Sequence, residues 1–282
     1  MRSRLSPATV MIGLVLAGLL AGAVLIQMAI SRPWLALAFT ADDSGIIHVT
    51  PASGVDGSAI VSGPIAAIRG SDGRRGEIEA GDLIEEPDTL ATYAEMRRFF
   101  ARQSMLEGVV SGRSVSIETA GARPAQQTTL APARMRPISD LPAAFWVQML
   151  VGLASFLIGG WVWALRRSDT AARLFALASL GILVFTFPAA LYSTRELAID
   201  GDLFRALSVM NHGGALLFGA AMIALLLRYP RPLVPARWLW APFALFGAWW
   251  LGDSLQVFDG PPAGSHLPTM LEMLGIFFAA AG

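Results

Sequence analysis

Five apolar runs in this chain are each long enough to cross a bilayer, and they constrain its fold more than any motif it carries. They are Thr9–Ile30, Ala143–Leu165, Leu174–Tyr192, Ala206–Leu227 and Trp238–Phe258. A helix needs about 20 residues to cover the roughly 30 Å hydrocarbon layer, so each run qualifies, with some tilt. A sixth begins near Met270 and reaches only Gly282, too short to cross. The chain therefore reads as an input or anchoring half that stops within a membrane helix. Its composition agrees: 15% of residues are charged, against about a quarter in soluble domains.

Arginine placement orients the runs. With the N-terminus inside, the inner segments hold Arg2, Arg4, Arg166, Arg167, Arg173, Arg228, Arg231 and Arg237, whereas the short outer segments hold only Arg195 and Arg205. Positive charge stays on the cytoplasmic side, so residues 31–142 face outward across the membrane. The first run also has some signal-peptide character, with a basic Met1-Arg2-Ser3-Arg4 start and a small-x-small Ala36-Leu37-Ala38 site. Its length exceeds the 7–15 residues of an h-region. Cleaved or not, it places residues 31–142 outside.

Several chemistries are excluded. No Cys is present and all 21 basic residues are Arg, which removes thiol chemistry, P-loop lysines and Schiff bases. The formal net charge is zero, which gives nucleic acid no electrostatic footing. No H-E-x-x-H, G-x-S-x-G or G-x-G-x-x-G occurs, so neither catalysis nor a bound cofactor or metal is expected of this chain.

Residues 31–142 suit one small α+β domain, expected to fold alone. Strands are expected at Trp34–Thr40, Gly45–Val49, Ile65–Ile68, Arg113–Thr119 and Gln127–Ala131. A helix is expected over Leu90–Leu106, opened by a Thr92-Tyr93-Ala94-Glu95 capping box. Within this domain, Ile78-Glu79-Ala80-Gly81-Asp82-Leu83-Ile84 resembles the turn-into-strand of PDZ domains, although an ordinary β-turn would also suit it. The resemblance implies a Gly81 free to take positive φ, an Asp82 that fixes the turn through backbone N–H groups, and Leu83 and Ile84 in the core. No Gly-Φ-Gly-Φ carboxylate loop precedes the second strand, which leaves peptide capture unsupported.

Polar residues within the runs gather toward the outer side: Gln27, Gln148, Tyr192, Asn211, His212, Asp253, Gln256 and Glu272. The inner halves hold little beyond Ser155 and Ser179. Such groups are costly in hydrocarbon and usually face a cavity or a bundle interior. One reading is an outward-opening ligand pocket lined by His212, Asp253 and Glu272, with Asn211 and Gln256 nearby. The other is that they sit at the headgroup level and never meet.

One span, an outer PDZ-like domain and then closely spaced helices together resemble the sensory half of multi-span bacterial sensor histidine kinases of the peptide-responsive, quorum-sensing type. The resemblance implies an extracellular peptide or small-molecule ligand, a homodimer in membrane lipid, and a cytoplasmic kinase beyond Gly282. His48, His212 and His266 all fall outside or in the outer half of the membrane, so none can be a cytoplasmic phosphoacceptor. A PDZ-bearing membrane protease or envelope quality-control protein is a rival that would need a catalytic motif. A transporter is another, with Pro188 and Pro242 as its only candidate helix breaks.

Overall fold

The computed structural model describes residues 6–52, 63–120 and 127–281; Arg2, Arg4 and Gly282 lie outside the described residues. Among the described residues four helices are long and apolar enough to cross a membrane: α1 (Pro7–Ile30), α3 (Ala143–Leu165), α4 (Thr170–Tyr192) and α5 (Gly201–Leu226). Hydrogen-bonding caps start three of them. Ser6 accepts from the Thr9 N–H, Asp169 from Ala171 and Asp200 from Leu203. These caps start α4 and α5 four and five residues earlier than hydropathy places them, at Thr170 and Gly201 rather than Leu174 and Ala206. A capping oxygen satisfies orphan N–H groups whatever the apolarity of the turn it opens.

The helices α4 and α5 touch backbone to backbone. A Cβ on Gly214 would sit 2.4 Å from the Phe185 nitrogen, and one on Gly181 would sit 2.7 Å from the Phe218 nitrogen. Small residues allow this approach where no hydrophobic force drives helices together. Pro188 lies inside α4 without ending it.

The fifth run, expected as one span over 238–258, is broken. It folds as a 3₁₀ turn, Ala236–Trp240, followed by α6 (Ala241–Ser254). Pro242 stands in the first turn of α6, where a missing N–H is harmless and the ring presets φ. Past its other end Gln256 takes φ 57°, a left-handed residue that turns the chain away. Fourteen residues at 1.5 Å each make about 21 Å, less than the apolar layer. A single π turn at Pro262–His266 then leads into α7 (Leu267–Ala281).

Between α1 and α3 the described residues form an antiparallel sheet with one α-helix. Its strands are β1 (Leu37–Ala41), β2 (Ile47–Pro51), β3 (Gly63–Gly70), β4 (Arg75–Glu77), β5 (Val115–Thr119) and β6 (Gln127–Leu130). The order is β1-β2-β3-β5-β6, with the short β4, absent from the sequence expectation, pairing β3 beside β2. The helix α2 (Tyr93–Val110) opens with the capping box, Glu95 N–H to Thr92 Oγ1 at 3.2 Å and Thr92 N–H to Glu95 Oε2 at 3.2 Å.

α2 buries residues on two sides. Leu106, Val109 and Val110 join Ile47, Val49, Ile68, Val115 and Ile117 in the sheet core. Tyr93, Met96, Phe99 and Phe100 pack instead with Ala29 of α1, Phe145 of α3, Leu191 and Tyr192 of α4 and Phe204 of α5. Each large side chain so buried contributes about 1.5–3 kcal/mol. The first half of α2 thus packs into the helix core while its second half closes the sheet core.

The Gly81–Asp82 turn also differs from expectation. It winds as a 3₁₀ turn over Ala80–Leu83 rather than feeding a strand. The described glycines at positive φ are Gly45, Gly63 and Gly73, so Gly81 is not one of them, and a Cβ on it would meet nothing within 4 Å. Asp82 does the fixing. Its buried carboxylate accepts from the Glu79 N–H at 2.9 Å and from Arg102 Nε and Nη2 at 2.7 and 2.6 Å.

Candidate functional site at the junction of sheet and helices

The junction is built from short segments held against the sheet-side ends of the helices. After the Asp82 turn, the chain runs through Ile84 to a second 3₁₀ turn at Pro87–Thr89, whose Pro87 is buried. That anchor presents Asp88 to the helices. Asp88 Oδ2 lies 3.3 Å from His212 Nε2 on α5 and 3.2 Å from His266 Nε2 in the π turn. The other ring nitrogen of His212, Nδ1, lies 3.5 Å from Asp253 Oδ2 on α6. The Tyr93 hydroxyl, at the start of α2, donates to Asp253 Oδ1 at 2.6 Å. One line of polar contacts, His266–Asp88–His212–Asp253–Tyr93, therefore stitches together five separate segments.

Its geometry is tight and mostly closed to water. The side chains of Asp88, His212 and Asp253 are 13%, 15% and 11% exposed, while His266 at 44% forms the opening. Gly264 makes room for the innermost bond, because a Cβ there would stand 2.1 Å from Asp253 Oδ1 and 2.2 Å from the Tyr93 oxygen. Burial pushes the Asp88 carboxyl up, but hydrogen bonds and charge from His212 and His266 outweigh it and hold the pKa below the usual range. Burial and the Asp253 carboxylate together raise the pKa of the Tyr93 hydroxyl, which stays a donor. With a carboxylate at each ring nitrogen, an imidazolium satisfies both Asp88 and Asp253, whereas a neutral ring donates to only one.

Of the sequence-derived candidates, His212 and Asp253 meet. Glu272 does not join them. Its buried carboxylate is pressed against Gly219, where a Cβ would fall 2.0 Å from Oε2. Gly219 is two turns along α5 from His212, about 10 Å at 1.5 Å per residue. Asn211 turns to α4 and donates to the Phe185 carbonyl at 2.8 Å. Gln256 lies toward solvent and accepts from Arg97 of α2, a second clasp between α2 and the end of α6.

Asp88 and His266 were not anticipated. The signal for Asp88 was the acidic Glu85-Glu86-Pro87-Asp88 stretch between the turn and the helix, and His266 lay in what read as a plain connecting loop. Among the described residues no group of three or more His, Asp or Glu is placed to hold a metal ion. What the line can do is hold or move a proton and fix the orientation of α5 and α6 against the sheet domain. Comparison with known proteins finds no family model that matches the chain, and no curated protein or solved structure similar to it.

Proposed function

We propose that this chain is the signal-input region of a plasma-membrane receptor, of the sensor histidine kinase kind whose layout it resembles. In this reading the sheet domain, PDZ-like in its turn-helix-strand order, faces outward, and the arginine-bearing turns at the far ends of α3, α4 and α5 face the cytoplasm. A peptide or small molecule acting on the sheet domain changes helix packing, and a cytoplasmic kinase in a dimer reads the change. The observation that carries the proposal is the Asp88–His212 contact. Asp88 belongs to the sheet side, and His212 sits on the longest helix, α5. A displacement of the first is therefore a displacement of the second.

The absence of cysteine allows a clean test. Spin labels on Ser168→Cys and Arg231→Cys would report the separation of the two far-side turns in lipid nanodiscs. Asp88→Asn and His212→Ala should each shift that distance distribution, and the double variant should shift it no further than the larger single effect. Distributions identical to the parent in both variants would remove the basis for transmission through this contact.

A further inference from the structure

On another side of the junction, just past the end of α1, lies a cavity of about 210 Å³ bordered by Arg32, Trp34, Glu107, Arg195 and Glu196. Its polar atoms are unevenly matched. Arg32 Nη1 and Nη2, Trp34 Nε1 and Arg195 Nη1 are all buried, and none has a hydrogen-bond partner among the described residues. Every one of these atoms is a donor. The neighbouring carboxylates accept hydrogen bonds from other groups. Glu196 accepts the N–H groups of Leu35 and Leu37 at 2.7 and 3.1 Å, Glu107 accepts from the Ser111 hydroxyl at 2.6 Å, and Asp200 caps α5.

An arginine two residues beyond a span would ordinarily extend its head into water or among headgroups. Arg32 instead buries both Nη atoms of its guanidinium without a hydrogen-bond partner among the described residues. Burial brings its pKa down to about 10, against the opposing pull of Glu107, which leaves it cationic at neutral pH. Buried donors of this kind are normally satisfied. A planar fork and an indole N–H bordering one cavity suit the oxygens of a carboxylate or phosphate.

We propose that this cavity binds a small oxyanion, a carboxylate or phosphate group, held by the Arg32 fork with the Trp34 indole N–H. Its size is below the roughly 300–1,000 Å³ of sites for drug-sized ligands, which fits a single anionic group rather than a peptide. The group can belong to a soluble acid or to the headgroup of an anionic lipid, since Arg32 stands where α1 ends. The proposal concerns binding alone and does not rest on the sensory reading.

The test uses the full chain in neutral phosphatidylcholine nanodiscs. Acetate, succinate and inorganic phosphate are titrated against sodium chloride at matched ionic strength, following Tm and tryptophan emission. A soluble oxyanion should raise Tm by several degrees in a saturable way. Arg32→Gln should abolish the response and should melt no lower than the parent in anion-free discs, because it removes an unpartnered buried charge. Trp34→Phe should keep the Tm response with about tenfold weaker apparent affinity. If the source is lipid, phosphatidylglycerol in the discs should raise Tm by itself, in an Arg32-dependent way, and leave soluble anions without effect. The proposal is overturned if neither soluble oxyanions nor phosphatidylglycerol raise Tm above the chloride control, or if Arg32→Gln responds as the parent does.

Discussion

The helices α3 to α5 and the pair α6 and α7 come from comparable apolar sequence, yet they are built differently. The first group is long, continuous and closed by glycines that bring backbones together; the second is short and interrupted. The interruptions are where the polar chemistry enters. Asp253 stands near the end of α6, His266 and Gly264 lie in the π turn, and Gln256 occupies the left-handed corner between them. A continuous span through 238–258 would have carried Asp253 past the junction without the turn that brings His266 back to Asp88. One group supplies a scaffold by volume complementarity, and the other supplies a site by ending early.

The comparison is broken most severely by adding a single methyl group to each. Gly214→Ala places a Cβ 2.4 Å from the Phe185 nitrogen and 2.7 Å from the Val184 carbonyl carbon, atoms of an α-helical backbone that cannot step aside. Overpacking of this kind costs about 1–3 kcal/mol, and here the upper end is expected. Gly247→Ala on α6 meets nothing within 4 Å. It should be neutral or stabilising by about 0.5–1 kcal/mol through helix propensity. Thermal unfolding of both variants in detergent checks the pair; equal losses would mean that α6 packs as tightly as α5.

A second contrast sits inside the sheet domain. Asp82→Ala removes the acceptor for two Arg102 bonds and the Glu79 N–H, at an expected cost of about 2 kcal/mol for hydrogen bonds to a charged group with a partly exposed partner. Gly81→Ala, one position earlier, should stay within about 0.5 kcal/mol, as surface substitutions do. Chemical denaturation of the full chain separates the two. A larger loss at Gly81 would restore the idea that glycine, rather than aspartate, makes the turn.

How much of this was legible depends on which forces the sequence displays openly. Hydropathy marks α1, α3, α4 and α5 because each carries a long apolar run, and β-rich stretches bounded by turn residues mark β1, β2, β3 and β5. The Thr92–Glu95 capping box is a local pattern and was readable as such. Pro242 is visible as a candidate break, but Trp238–Leu251 stays apolar through it, so composition does not distinguish one span from a turn and a shorter helix. Asp88 was hidden for a different reason. Its partners lie 124 and 178 residues away, and no local pattern encodes a contact of that range. Glu272 was expected with His212 because both fall in outer halves of apolar runs, but shared depth is not shared position.

A smaller effect is expected where the interrupted pair meets α2. Gly264→Ala puts a Cβ 2.1 Å from Asp253 Oδ1 and 2.2 Å from the Tyr93 oxygen. The side chains can retreat by rotating, unlike the backbone at Gly214, so the loss should be about 1–2 kcal/mol, the lower part of the range for a buried hydrogen bond left unmade. Hydrogen exchange should show faster exchange at the start of α2 and the end of α6, with α4 unchanged. Faster exchange throughout the bundle would mean that the two groups of helices unfold as one unit.

The smallest expected effect is acid loosening of the same junction, and its sign is set by Asp88. Hydrogen bonds and charge from His212 and His266 hold the folded-state pKa of Asp88 below its unfolded value of about 3.9. Over that interval the unfolded chain binds more protons than the folded one, so stability rises with pH there. The contribution is fully present above the unfolded pKa and is lost as pH falls through the folded one. Lowering pH from 7 to 5 should therefore leave this contribution intact, and loosening should begin only near pH 4. Asp88→Asn should lack the acid-dependent part that is specific to this site while keeping whatever acid sensitivity the remaining carboxylates confer. Difference melting curves of the parent and Asp88→Asn between pH 7 and 3 isolate it. If the two curves ran parallel across that range, Asp88 would carry no net charge interaction with the histidines, and the link between sheet and helices would be one of shape alone.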